Sequence, residues 1–483
     1  MTLIKSSFTG LAKGLKPTVN SWIRRYSTEI TSGKSNVVKE LQTRGLVASL
    51  TSPKLLNHVD TPTTIYCGVD PTAKSLHIGN LCALMGLLHF QARGHQAIAL
   101  IGGATGAIGD PSGRNTERTA LDNEVLWNNV ASIKAQLEKF FDRGQQYVNR
   151  RTGTSDSVDK IKDIQILNNF DWFGKMTAID FLANVGKFAR VSAMLARESV
   201  KARMDSSHGI SFTEFSYQLL QANDFWHLYK QHGCSIQLGG SDQWGNITAG
   251  IDLIQKRHNY ETLGTLESTD NDPHVYGITL PLITTSTGEK FGKSAGNAVW
   301  LNENMTSLFD FYQFFMKTPD SEVERLLNVF TFLNTQEIEE IVHEHKKSPE
   351  AHLGQTKLAD EVTELVHGVE GLKRAQIATQ ILFRNDLKSI RADDIIDAFS
   401  NDKRLKQLEA SLVVENDITQ VAVASGACSS KSEATRLIKA GGLYINGERV
   451  KDPKLKLARS SLMEDKLIVL RSGKSNYWFV QTQ

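Results

Sequence analysis

The sequence predicts an α/β fold built on a parallel sheet, followed by a small helical stretch and a basic α+β region. Three observations predict it. Thr64–Val69 and Gln96–Ile101 are runs rich in β-branched and apolar residues, and Leu76 to Ala92 between them reads as a helix. Strand, helix and strand within about 40 residues make a βαβ unit, which requires a parallel sheet. From Asp320 to Ala410 the texture changes to Glu, Lys, Leu and Ile with helical periodicity. From Gly426 onward eleven Lys or Arg face five acids, and short strands return at Leu443–Ile445 and Leu467–Leu470.

The bulk numbers agree with several domains. At 483 residues, two or three are expected. Apolar residues make up 40% and charged residues 22%, ordinary for a globular chain with a sizeable core. The net charge of +2 excludes a uniformly basic nucleic-acid binder, so any RNA site must come from local asymmetry. Cys67, Cys82, Cys234 and Cys428 form no CxxC pair, which argues against a zinc site or a disulfide framework. No apolar run reaches the roughly 20 residues that span a bilayer.

Residues 1–28 carry Lys5, Lys13, Lys16, Arg24 and Arg25 and no acid, with apolar residues at loosely helical spacing. This is the composition of a mitochondrial presequence, and the matrix is the expected location. Arg24-Arg25-Tyr26 followed by Ser27 resembles a matrix-peptidase site. Beyond it we expect a mixed strand-and-helix domain at 34–318, a helical domain at 319–410 and a basic α+β domain at 411–483.

Two segments carry the chemistry. The first runs from Tyr66 through Cys67, Gly68, Asp70, Thr72 and His77 to Gly79 and Asn80. A strand ends at Asp70 and a helix opens near His77. Free N–H groups at that helix start, with the positive end of its dipole, suit a phosphate. Gly79 lets a flat ring approach the backbone. The second is Lys290-Phe291-Gly292-Lys293-Ser294, where two lysines three apart on a Gly-flanked loop can reach a polyphosphate. A bare His-Ile-Gly recurs by chance but the whole first string does not, and the second segment by itself is more often a solvated basic turn; together they resemble the paired signatures of class I aminoacyl-tRNA synthetases.

The specific resemblance is to tyrosyl-tRNA synthetases of bacterial and mitochondrial type. It rests on Tyr66-Cys67-Gly68, on Gly102 through Gly113, on Tyr217 through Ala222, and on Gln237 through Asn246, in that family's order. It covers nearly everything after residue 34, and implies a Rossmann-like catalytic domain with a helical domain and an S4-like domain behind it. Tryptophanyl-tRNA synthetases share the fold but not the set Tyr66, Gln221 and Asp224.

The resemblance implies a tyrosine pocket of Tyr66, Asp110, Tyr217, Gln221, Asp224 and Gln237. Asp224 accepts the substrate's phenolic O–H and Tyr66 donates to it, while Tyr217, Gln221 and Asp110 hold the α-ammonium. Tyr217 and Gln221, four apart, share a helix face. On the ATP side it implies Cys67, Gly68, Asp70, Thr72, His77, Gly79, Asn80, Gly240, Asp242 and Gln243. There Thr72 and His77 meet the reacting phosphate, Asp242 holds the ribose and Gln243 lies near the α-phosphate. Arg114, Arg118, Lys290 and Lys293 are implied as mobile cations for the pyrophosphate, with Phe291, Gly292 and Ser294 completing their loop. Asn80 departs from the family's histidine and is expected to keep a hydrogen-bond donor of similar reach. Trp244 is read as core.

Further implications are ATP with Mg²⁺ as substrate, no resident metal or organic cofactor, tRNA(Tyr) and L-tyrosine as partners, a homodimer, and no membrane. Ser430 to Gly447 resembles the S4 RNA-binding fold, with Lys431, Arg436 and Lys439 on its helix to grip phosphate. Some mitochondrial relatives also assist group I intron folding. The roughly ten residues between the presumed cleavage site and the enzyme-like region argue against that role here.

Overall fold

The computed structural model describes residues 36–112, 121–152, 162–205, 209–269, 272–284, 293–294, 297–384, 387 and 389–483. The presequence lies outside them. These residues fall into two compact units. One comprises the chain up to Phe291 together with Arg325–Ile338; the other comprises Gly292–Glu324 and Glu339–Gln483.

The first unit holds a six-stranded sheet. Its strands are β1 (Ser49–Leu50), β2 (Thr64–Val69), β3 (Gln96–Ile101), β4 (Gln165–Asn168), β5 (Cys234–Gly240) and β6 (Tyr276–Leu280), in spatial order β1-β6-β5-β2-β3-β4. All pairs are parallel except β1 with β6. Strands β2 and β3 occupy the residues the sequence predicts. Parallel strands covered on both faces read as continuous apolar runs. Accordingly β6 is buried throughout, and β3 and β5 at all but one terminal residue.

From β2 the chain winds outward through β3 to β4, then returns to the other side of β2 for β5. Strand order therefore reverses between β2 and β5. Crevices at the carboxyl ends of strands beside such a reversal are where open α/β sheets bind ligands.

Four helices of this unit matter for the site: α1 (Ile78–Gln91), α2 (Asn123–Thr152), α3 (Phe212–His232) and α4 (Trp244–Leu263). Helix α1 is apolar all round and almost wholly buried, starting two residues later than the sequence suggests. Helix α3 is capped by Ser211, whose hydroxyl accepts from Glu214 N–H, and ends at Gly233 in the left-handed region. The returning segment 325–338 is fastened by buried Arg44. Its guanidinium donates to the carbonyls of Asn328, Thr331 and Leu333 at 3.2, 2.9 and 2.8 Å, and His89 stacks on Phe332 at 4.1 Å.

The second unit begins with two short antiparallel strands, β7 (Lys293–Ser294) and β8 (Asn297–Ala298). Its helices include α5 (Leu308–Met316), α6 (Leu353–Thr379), α7 (Ala392–Ala398), α8 (Ile418–Ala424) and α9 (Lys431–Lys439). Its sheet comprises β9 (Leu405–Leu408), β10 (Leu443–Ile445), β11 (Glu448–Arg449), β12 (Leu467–Ser472) and β13 (Asn476–Thr482), in order β11-β10-β12-β13-β9. Among the described residues the stretch from Asp320 to Ala410 is mostly helical, and it includes β9. Leu405–Leu408 has no β-branched residue to announce a strand and becomes one by pairing with the edge of β13. Asn446 and Gly447, at φ 47° and 86°, make the two-residue turn from β10 to β11.

Alternation decides how this sheet packs. Ile468, Leu470 and Val480 point into a core with α8 and α9, while Leu467, Val469, Tyr477 and Phe479 pack against Ile395 and Phe399.

Candidate active site

Four strand ends converge beside the sheet's reversal point. Strand β2 delivers Tyr66 and, one residue past its end, Asp70. Strand β3 is followed by Gly102, β4 by Asn169, and β5 contributes Gln237 and Gly240. Helix α3 lies across them and supplies Tyr217, Gln221 and Asp224, spaced four and three apart and so on one face.

Asp224 is buried, and its carboxyl is strongly perturbed. Its Oδ1 accepts from Trp172 Nε1 at 2.9 Å and its Oδ2 from Asn169 Nδ2 at 3.1 Å. Burial pushes its carboxyl up to about 8, the two donated hydrogen bonds oppose that rise, and the charge of Asp70 adds to it. Tyr66 is equally buried. Desolvation, and then the charge of Asp224, push its phenol well above the usual range, and its hydroxyl has no hydrogen-bond partner. Gln237 likewise has a buried Oε1 without a partner. Buried polar atoms are normally satisfied, so the Tyr66 hydroxyl and the Gln237 carbonyl are two groups in this cleft that lack a partner for a ligand to supply.

The remaining predicted residues form two further groups of bonds. In the first, Tyr217 donates its hydroxyl to Asp70 Oδ2 at 2.9 Å, and Thr105 donates to Asp70 Oδ1 at 2.8 Å. In the second, Gln221 Nε2 donates to Gln243 Oε1 at 3.2 Å, and Gln243 Nε2 donates to Asp110 Oδ2 at 2.7 Å. Asn169 ties Asp224 to the first group, since its Nδ2 also donates to Thr105 Oγ1 at 3.0 Å. In each group a residue expected on the tyrosine side is bonded to one expected on the ATP side. Gly102 makes the first group possible: a Cβ there would overlap both the Asp70 carboxylate and the Thr105 hydroxyl.

His77 is the N-cap of α1, and Asn80 plays an unexpected part. Its Oδ1 accepts from His77 N–H at 3.1 Å, the reciprocal half of a capping box. The side-chain carbonyl is therefore committed to the helix start, and the amide N–H₂ is the donor that Asn80 offers in place of histidine. Thr72 and Gly79 are exposed around this start, and Cys67 and Gly68 lie on the last turn of β2 before Asp70. Burial pushes the Cys67 thiol up to about 12, so it is a neutral group and no nucleophile.

Trp244 is corrected. It is 40% exposed rather than core, because it is the first residue of α4 and follows a 3₁₀ turn at Ser241–Gln243. With Asp242, Arg197, Glu198 and Gly245 it lines a cavity of about 600 Å³. Asp242 is exposed beside that cavity and Gly240 abuts it.

Arg114, Arg118, Lys290, Phe291 and Gly292 lie outside the described residues. Lys293 and Ser294 form β7. Lys431, Arg436 and Lys439 are all exposed on α9. Among the described residues no cluster of His, Cys, Asp or Glu could hold a metal ion, and no helix is long and apolar enough to cross a membrane.

Sequence reasoning did not single out Asn169 and Trp172. They stand just past β4, a short strand of mixed polarity. Their one signal is position: the end of a parallel strand is where site residues gather.

The family described as "tRNA synthetases class I (W and Y)" matches residues 57–384, and the "Tyrosine--tRNA ligase SYY-like C-terminal domain" matches 399–480. The mitochondrial tyrosine–tRNA ligase of Saccharomyces cerevisiae is 41% identical over 93% of this chain and 89% of that protein. The tyrosine–tRNA ligase of Desulfitobacterium hafniense strain Y51 is 42% identical over 92% and 99%. A crystal structure of a C-terminally truncated mitochondrial tyrosyl-tRNA synthetase from Aspergillus nidulans superposes with a TM-score of 0.64 at 34% identity, covering 76% of this chain and all of that one. By these matches over most of its length, the chain belongs to the tyrosine–tRNA ligase family of class I aminoacyl-tRNA synthetases.

Proposed function

We propose that this chain activates L-tyrosine with ATP and transfers it to tRNA(Tyr) in the mitochondrial matrix. In the first step a carboxylate oxygen of tyrosine attacks the α-phosphorus of ATP. The bond to the β-phosphate breaks, and tyrosyl-adenylate and pyrophosphate form. A carboxylate is already a nucleophile, so no general base is needed and catalysis rests on positioning and charge stabilisation. In the second step a 3′-terminal ribose hydroxyl of the tRNA attacks the acyl carbon and AMP leaves.

The observation that carries this reading is the pairing of an orphaned Tyr66 hydroxyl with the buried Asp224 carboxyl. A phenol completes both: it donates to Asp224 and accepts from Tyr66. A phenylalanine side chain completes neither, which is how such a site rejects it without editing. Tyrosyl-tRNA synthetases are themselves the source of the figure of roughly 10⁵ for that rejection. Tyr217, Gln221 and Asp110 then hold the ammonium, Thr72, His77 and the Asn80 amide meet the phosphates, and Asp242 takes the ribose. Arg114, Arg118, Lys290 and Lys293 close on the pyrophosphate, which travels with Mg²⁺.

A homodimer fits the surface. The segment 170–212 exposes Phe170, Ile179, Leu182, Val191, Met204 and Phe212, an apolar concentration that interfaces use. The exposed cations of α9 serve the tRNA. Mitochondrial placement is supported by the acid-free leader and by relatives such as those of yeast and Drosophila melanogaster, which are named as mitochondrial.

The test is amino-acid-dependent ATP–pyrophosphate exchange by the chain starting at Ser27, with each of the twenty amino acids in turn. Exchange with tyrosine alone, abolished by Asp224→Ala, is expected; folded protein that exchanges with none would overturn the reading.

A further inference from the structure

One row across the sheet of the second unit has a composition that packing does not require. On neighbouring strands Arg449 is the direct partner of Tyr444, Tyr444 of Arg471, and Arg471 of Tyr477. Directly opposed residues share a face, so the row alternates cation and aromatic with no carboxylate in it. The face is the one whose other end, at Leu467, Val469 and Phe479, is covered by Ile395 and Phe399. Toward β11 that cover gives out: Arg449 is exposed, and Tyr444 and Arg471 are half-buried. The Arg471 guanidinium lies 3.9 Å above the Tyr444 ring, closer than ordinary cation–π contacts require.

The row also joins the basic helix. The Arg449 guanidinium rests on Gly441, where any Cβ would overlap it, and Gly441 stands two residues beyond Lys439 at the end of α9. A positive φ of 75° at Gly441 also favours glycine. Arg449 therefore meets the chain just past the basic helix, and Arg449 and Arg471 flank the flat Tyr444 ring between them.

We propose that Tyr444 and Arg471 form a stacking platform for an unpaired nucleobase of RNA, with Arg449 on the adjoining phosphate. The proposal rests on the tRNA-binding reading of this domain and adds a contact of a different kind. Cations on α9 grip phosphate through charge, whereas a guanidinium stacked on a ring presents a planar surface that a base extends. An acidic protein partner would use the charges but would have no need of the stack.

The test uses the full chain and transcribed tRNA(Tyr), measuring affinity over a range of salt, with pyrophosphate exchange as the control. Tyr444→Leu should weaken binding about tenfold or more, leave the slope of affinity against salt unchanged, and leave exchange intact. Tyr444→Trp should bind as the parent does. Replacing Lys431, Arg436 and Lys439 together by Ala should instead flatten the salt slope. If Tyr444→Leu binds normally while the triple variant is weak, the platform is wrong and the RNA-binding reading stands. If Tyr444→Leu lowers the salt slope, the ring only holds its arginines in place, and the stacking proposal falls. Should neither variant weaken binding, RNA is not the ligand of this face and both readings fall.

Discussion

The indole N–H of Trp172 donates to Oδ1 of Asp224 across 2.9 Å, and His227 stacks on the same indole at 4.2 Å. The carboxylate at the heart of the proposed tyrosine pocket is thus aimed by a side chain more than fifty positions away. Trp172→Phe keeps the stack and deletes the donor. An acceptor left unpaired in a buried site costs about 1–3 kcal/mol, so the KM for tyrosine should rise roughly tenfold or more. Exchange kinetics measure this, and an unchanged KM would mean that Asn169 suffices to hold the carboxylate.

Tyr66→Phe should separate stability from recognition. In the free protein the Tyr66 hydroxyl is buried without a partner. Removing it should therefore leave the melting temperature unchanged or raise it, while tyrosine affinity falls and phenylalanine affinity does not. Calorimetry and equilibrium dialysis give the two halves. A lower melting temperature would show that the hydroxyl is satisfied in solution.

Tyrosine binding should depend on pH near the alkaline side of neutrality. Asp224, held at about 8 rather than near 3.8, is largely protonated below that point in the empty site. The substrate's O–H needs an acceptor, so binding favours the ionised form and releases a proton. Affinity should rise with pH up to about 8 and then level off. Asp224→Asn should abolish this dependence along with most of the affinity. The measurement is titration calorimetry in buffers of differing ionisation heat.

Arg44 should matter for stability and not for chemistry. It is buried and donates to the carbonyl of Asn328 in the last turn of the helix at 320–330 and to those of Thr331 and Leu333 in the segment that follows. Arg44→Met should lower the stability of the first unit by about 2–4 kcal/mol, read as an earlier first transition in urea. The KM for tyrosine in the protein that remains folded should not move.

How far the sequence reaches is clear from individual residues. Thr64–Val69 and Gln96–Ile101 are readable because buried parallel strands are apolar from end to end. The turn at Asn446-Gly447 is readable because few residues accept positive φ twice in succession. Tyr217, Gln221 and Asp224 are readable as a set only through the family resemblance, since helical spacing shows that Tyr217 and Gln221 share a face and a packing pair does the same. Asn169 and Trp172 are not, since their value arises only when β4 lies beside β3 and α3 crosses above. Asn80 shows a subtler limit: its identity indicates a donor, but only the capping bond to His77 shows which end of the amide is spoken for. Trp244 misleads because large aromatics are usually buried, and a helix's first residue need not be.

The fastening of residues 325–338 has a consequence for biogenesis. The first compact unit is not a continuous stretch of chain. Its last piece follows thirty-odd residues, Gly292–Glu324, that belong to the other unit. A nascent polypeptide therefore cannot complete its first unit until Ile338 has emerged. Until then Arg44 has no carbonyls to cap and His89 no Phe332 to lie against. During that interval the early segments are clients for chaperones rather than a finished domain, and a shortened version of the protein meant for expression should end beyond Ile338.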